Sequence, residues 1–397
     1  MKVLAALLFA SPLLLAQDPS GPLIHSMDDL KVRNPEKNGR AETVDGKVGK
    51  AVKFSFDKDC SGAFCMTPLR ATADWDKAAG FSFWVKGDGS KNFGGIQFIW
   101  NDDYAARYDF MFPIDSTEWK KVVVAWRDLT PAMPAPAAKF LDPKTGNAPS
   151  KLSTLWFGKW WYWREYGAHS YTVDELRLEP TIALDTNLYV PSGAPLERVQ
   201  AKLKAGKPIT IVTMGDSLTD TRHWANRSVN WPGLLTKQLQ ERKIEPRIVN
   251  PAIGGTELRQ NLVLMPRWLA EAPEPDLVTV CFGGNDWNSG MRGEMFRETV
   301  RETIDRIRRA TKGKADVLIL TTVPSLEVWE TRNELGEAAR AAAVERKAGL
   351  ADAEKAFHAV AEDRRAKLYC TDKVHLDPPG HEILASLVLA AIESGGK

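Results

Sequence analysis

Ser217 stands in Gly215-Asp216-Ser217-Leu218, directly after the apolar run Ile209 to Met214. A serine hydroxyl becomes a nucleophile only when a base takes its proton, and a neutral imidazole is the usual base. The chain has six histidines, so the search is short. His375 closes Asp372-Lys373-Val374-His375. At that spacing Asp372 can accept from the imidazole Nδ1 while Nε2 faces a serine, which fixes the tautomer and stabilises the imidazolium. His381, after Gly380 at a helix start, competes for the role but has no aspartate three residues before it. Acyl transfer also needs donors aimed at the developing oxyanion. Gly254-Gly255-Thr256 and Gly283-Gly284-Asn285-Asp286 can supply a backbone N–H and the Asn285 amide, beside the N–H of Ser217 itself. The chemistry is serine-based acyl transfer, and no metal or cofactor is expected.

Asp216, next to the nucleophile, is expected to hold its loop by hydrogen bonds. Arg222, His223, Trp224, Asp286 and Trp287 flank the motifs and are candidate substrate contacts. Asn226-Arg227-Ser228 matches a glycosylation acceptor triplet, a pattern frequent by chance.

These residues need a frame that brings distant loops to one edge. From 207 to 393, apolar runs alternate with amphipathic segments. The runs are 209–214, 247–250, 277–282, 317–322 and 367–370; the helical segments lie near 231–242, 258–270, 293–311, 334–363 and 379–392. Five strands with helical crossovers predict a parallel sheet covered on both faces, with the site at the carboxyl ends of its strands. His375 then falls just past the last strand. Residues 22–182 read differently, as short alternating runs broken by Gly, Asp, Asn and Pro, which predicts a β-sandwich. Residues 183–206 are a linker and lead-in helix.

The four blocks around Ser217, Gly255, Asn285 and Asp372-x-x-His375 resemble, in order, those of the SGNH or GDSL hydrolases, over roughly residues 207–393. The resemblance implies a three-layer flavodoxin-like α/β fold, Ser217 as nucleophile, His375 as base, and an oxyanion hole from Ser217, Gly255 and Asn285. The second block reads Asn250-Pro251-Ala252-Ile253-Gly254-Gly255, with alanine where members often have glycine, so Gly254 competes with Gly255 as donor. The absence of a Gly-x-Ser-x-Gly elbow argues against the ordinary α/β-hydrolase fold.

The strand candidates Trp119 to Val124 and Tyr171 to Leu178 resemble those of galactose-binding-like jelly rolls, the form of many carbohydrate-binding modules. Nine of the fourteen tryptophans precede residue 185, densest in the run Trp156 to Trp163. Read as a strand, that run sends Trp160 and Tyr162 to one face and Trp161 and Trp163 to the other. One pair is core; the other is a ligand platform or packs on the hydrolase domain. The two-domain layout is similar to that of carbohydrate esterases that remove acetyl groups from polysaccharides.

With 53 basic and 51 acidic residues, no bulk field points to nucleic acid or an anionic membrane. Met1 to Ala16 has the form of a secretory signal peptide, so a secreted or periplasmic protein is expected, and no later stretch is long and apolar enough to span a bilayer. Export predicts a Cys60–Cys65 disulfide; Cys281 and Cys370 read as small buried side chains. The expectation is an exported carbohydrate O-acetylesterase acting on an acetylated glycan. A lipase or thioesterase with the same triad, and a polysaccharide-binding protein with an idle α/β domain, are the alternatives. The sequence leaves oligomeric state open.

Overall fold

The computed structural model describes residues 21–28, 39–58, 60, 63–144, 146–163 and 166–396 of the 397, without the side chains of 63–67. Met1 to Ala16, the stretch expected to be a signal peptide, therefore lies outside the described residues, and so does the expected Cys60–Cys65 bridge, which needs the side chain of Cys65.

The N-terminal part is two antiparallel sheets face to face. Its strands are β1 (Leu23–His25), β2 (Gly39–Asp45), β3 (Lys50–Phe56), β4 (Ala63–Pro68), β5 (Gly80–Gly87), β6 (Phe93–Trp100), β7 (Asp103–Pro113), β8 (Lys120–Ala125), β9 (Thr130–Pro131), β10 (Leu152–Gly158) and β11 (His169–Glu179). One sheet runs β2-β3-β11-β5-β8 with β1 on β11; the other runs β4-β10-β6-β7-β9. Alternation along the strands points one side chain in two inward, as in Phe81, Phe83 and Val85 of β5. Phe54, Phe83 and Tyr171 from one sheet meet Phe98, Phe112 and Phe157 from the other, with Phe54 and Phe157 stacked at 5.1 Å.

The C-terminal part alternates helix and strand: α1 (Glu197–Lys204), β12 (Ile209–Gly215), α2 (Trp231–Glu241), β13 (Pro246–Val249), α3 (Leu258–Val263), α4 (Met265–Glu271), β14 (Leu277–Cys281), α5 (Gly284–Asn288), α6 (Gly293–Thr311), β15 (Asp316–Leu320), α7 (Asn333–Glu345), β16 (Gly349–Ala351), α8 (Ala353–His358), α9 (Glu362–Arg365) and α10 (Pro378–Ser394). All pairings are parallel, in the order β13-β12-β14-β15-β16. That order turns back at β12, so loops leaving β12 and β14 diverge and leave a crevice between them. β14 and β15 are buried along their whole length, with one core on each sheet face.

The fifth strand is not the run 367–370. It is Gly349–Ala351, three residues inside what the sequence reads as one long helix over 334–363. Lys347, at φ +48°, ends α7, and Leu196 packs so close to Gly349 that a Cβ there would lie 2.6 Å from its Cγ. A three-residue strand without a β-branched side chain carries no periodic signal. Residues Ala366–Leu368 are instead a 3-10 helix, and Tyr369 makes a single antiparallel bridge to Leu376. That bridge pinches off the loop carrying Asp372 and His375. The helix expected at 258–270 is two, α3 and α4, with Pro266 in the first turn of the second.

The tryptophan run departs from a strand after Gly158. Trp161 to Trp163 form a 3-10 helix, which abolishes the alternation the sequence suggests. Trp160, Tyr162 and Trp163 are all buried, in a cluster with Phe93, Met111 and Tyr166 and with Ile253, Val263 and Leu264 of the C-terminal domain. Only Trp161 of the four stays exposed. Arginines close the rest of the interface: Arg259, fully buried, donates to the carbonyls of Met133 and Ala138, Arg267 to that of Trp163, and Arg306 to Arg127, Asp128 and Thr130.

Candidate active site

Ser217 begins the turn that leaves β12. Gly215 is needed there for space: a Cβ would lie 2.3 Å from Thr219 Oγ1, while its φ is not in the left-handed region. Asp216 is buried and its Oδ1 accepts from the Leu218 N–H at 3.0 Å, which holds the turn. Burial pushes the Asp216 carboxyl up to about 7. Asn226, also buried, donates from Nδ2 to the Ser217 carbonyl at 2.6 Å and to that of Asp220 at 2.8 Å. It pins the nucleophile turn, and its amide is not available as a glycosylation acceptor in the folded chain.

His375 and Asp372 reach Ser217 from the pinched loop. Cys370 N–H donates to the His375 carbonyl at 2.7 Å, and the Asp372 Oδ1 accepts from the N–H groups of Val374 and His375. The remaining oxygen, Oδ2, lies 2.5 Å from His375 Nδ1, and His375 Nε2 lies 2.9 Å from Ser217 Oγ. Partial burial pushes the Asp372 carboxyl up, but the bonds from His375 and Val374 outweigh it and hold the group below its ordinary value. An ionised carboxylate only accepts, so Nδ1 carries the proton and Nε2 is left to accept from the serine hydroxyl. The competing His381 is fully buried in α10 with neither ring nitrogen hydrogen-bonded, and burial pushes it down to about 4. It is a core residue.

The donor loops converge on the same point. Gly254 rests against the nucleophile, where a Cβ would be 3.3 Å from that of Ser217, and its N–H is already taken by Asp220 Oδ2 at 3.1 Å. Gly255, at φ +80°, has an N–H with no acceptor among the described residues, as does Ser217. Asn285 Nδ2 spends one hydrogen on the Thr256 carbonyl at 3.0 Å, which aims the amide into the pocket beside Ser217.

The candidate substrate contacts separate. His223 stacks on His375 with ring centroids 4.3 Å apart, and Trp224 meets the same ring edge-on at 5.5 Å while remaining 54% exposed. Arg222 bonds Asp220 and the Ala252 carbonyl and so ties the two loops together. Asp286 is fully buried, accepting from Leu258 and Gly283, and is not a substrate contact. Trp287 packs on the core under Arg292, at 3.8 Å, and does not line the pocket. Arg332, from the loop before α7, does line it. No motif marks that residue in the sequence.

Residues 213–383 match the GDSL-like lipase/acylhydrolase family, and residues 33–140 match the carbohydrate binding domain of family 11. The C-terminal domain belongs to the first family and the N-terminal domain to the second. The chain is 32% identical over 111 residues to esterase TesA of Pseudomonas aeruginosa, covering 28% of this chain and 53% of that one. It is 29% identical over 107 residues to thioesterase 1/protease 1/lysophospholipase L1 of Escherichia coli, covering 27% and 49%. The chain thus spans about half the length of these relatives. Similar solved structures include a lipase/acylhydrolase from Enterococcus faecalis (21% identity, 48% and 97% covered, TM-score 0.40) and the acetylxylan esterase Axe2 of Geobacillus stearothermophilus (22%, 46% and 94%, TM-score 0.38).

Proposed function

We propose that the protein is an exported carbohydrate O-acetylesterase working through Ser217, His375 and Asp372. The observation that carries the reading is the unbroken relay from Asp372 Oδ2 through His375 to Ser217 Oγ, at 2.5 and 2.9 Å. Ser217 Oγ attacks the acetyl carbonyl as His375 Nε2 takes its proton, and Asp372 steadies the imidazolium. The N–H groups of Ser217 and Gly255 and the Asn285 amide receive the oxyanion. Collapse expels the sugar hydroxyl, which takes the proton from His375. A water, deprotonated by His375, then attacks the acyl-enzyme and releases acetate.

The small acyl group is supported by the pocket beside Ser217, about 40 Å³, room for a few atoms. The carbohydrate is supported by the family 11 match and by Trp224, whose exposed indole at the edge of His375 suits stacking on a sugar ring. Export rests on the leader-like Met1 to Ala16.

A panel of p-nitrophenyl acetate, butyrate, octanoate and dodecanoate, with acetylated xylan beside it, tests this reading. The acetyl esters are expected to be fastest and activity to vanish in Ser217→Ala with the fold intact. A maximum at octanoate or beyond would instead make the enzyme a lipase or thioesterase, and no turnover at all would leave a binding protein.

A further inference from the structure

Arg332 is 92% buried by its 8% exposure, yet no carboxylate lies within ion-pair distance of it among the described residues. Its Nε–H has no acceptor. Nη2 reaches only the neutral Asn288 Oδ1, at 3.3 Å. Nη1 passes over Gly284, where a Cβ would stand 3.3 Å away, so the glycine leaves room for the guanidinium beside Asn285. All of these residues line the pocket that holds Ser217. Asp216, an acid whose charge bears on Arg332, spends an oxygen on its own turn and is pushed up by burial, so it is a poor counter-ion. A guanidinium withdrawn from water with donors to spare is costly to bury, and a planar carboxylate satisfies it best.

We propose that the pocket beside Ser217 is a carboxylate receptor built on Arg332, which selects acetylated glycans whose uronate group lies close to the scissile ester or retains the acetate that the reaction releases. This rests on the esterase reading for its consequence but not for its test. The Arg332 guanidinium donates N–H hydrogen bonds to the carboxylate oxygens, and Ser325 and Asn288 add polar lining beside the apolar Leu218, Phe282 and Val323.

Binding of sodium acetate and of glucuronate to full-length Ser217→Ala, followed by ligand-observed NMR, reads the receptor without any turnover. At least one of the ions is expected to bind, each displacing the other where both do, and Arg332→Met is expected to weaken that binding at least about tenfold while Arg332→Lys recovers part of it. In the active enzyme two arms identify the source. Relief of acetate inhibition in Arg332→Met assigns the receptor to product. Loss of a preference for acetylated glucuronoxylan over its carboxyl-reduced form, read as the ratio of the two kcat/KM values so that any general loss of turnover cancels, assigns it to substrate. Binding of neither ion, or binding unchanged in a folded Arg332→Met, overturns the proposal. Absence of turnover in the wild type, with binding intact, would instead sink the esterase reading alone.

Discussion

Two aromatic surfaces in this chain look alike in composition and differ in what they touch. Trp160, Tyr162 and Trp163 are spent on Val263, Leu264 and Ile253, the last of which lies two residues before Gly255. Trp224 makes its ring contacts among the described residues with His375 and His223, and more than half of it faces solvent. Aromatic density marks an interface in the first case; in the second an exposed indole stands beside a hydrogen-bonded relay, where the proposed function puts a ligand. The carbohydrate-binding-module domain therefore supports the acylhydrolase domain physically, whatever it binds elsewhere.

The sharpest break between the two surfaces is expected from truncation. Trp163→Ala should cost about 3–5 kcal/mol of stability, the range for a buried tryptophan. Urea unfolding measures it, and acetyl-ester turnover should fall with it as the Ile253 loop loosens. Trp224→Ala should change stability by less than about 0.5 kcal/mol, as an exposed side chain does. Its effect should appear as a roughly two- to tenfold loss in kcat/KM on acetylated glycan and not on p-nitrophenyl acetate. Equal effects on both esters would show that Trp224 orients His375 and does not hold a sugar.

Within the site, Asp372→Asn should lower kcat by roughly 10³–10⁴-fold while KM changes little, because the imidazole loses its fixed tautomer. Asp216 gives a smaller, pH-dependent signature. Its folded value of about 7 lies above the ordinary 3.8, so the folded state holds the proton more tightly than the unfolded chain. That contribution is fully present below about pH 4 and is lost as pH rises through about 7. Asp216→Asn should therefore flatten the fall in unfolding free energy across that window. An unchanged slope would mean that other acids with raised values, such as Asp316 and Asp286, dominate it.

The four motif blocks were legible because each sits directly after a strand or on a short loop, where local sequence decides geometry. The sandwich and the parallel sheet were legible from their periods of alternation and crossover. What sequence could not reveal depended on tertiary contact. Gly349 to Ala351 becomes a strand only because β15 offers an edge. Trp161 to Trp163 turn into a 3-10 helix because the other domain, and not a strand partner, covers Tyr162 and Trp163. Gly254 and Gly255 are neighbours of the same type, and only Asp220, in a separate loop, distinguishes them by consuming one N–H. Asp286 looked like a contact by position, whereas its two oxygens are both occupied inside the core. Arg332 comes from a loop without pattern and reaches the pocket through the fold alone.

The central claim is that Ser217 is an activated nucleophile. The most direct measurement is labelling of the full chain by a fluorophosphonate probe, with the modified residue located by mass spectrometry. The relay through His375 predicts stoichiometric, time-dependent labelling at Ser217, abolished in Ser217→Ala and slowed in His375→Ala. No labelling of the folded wild type, or equal labelling after Ser217→Ala, would contradict it.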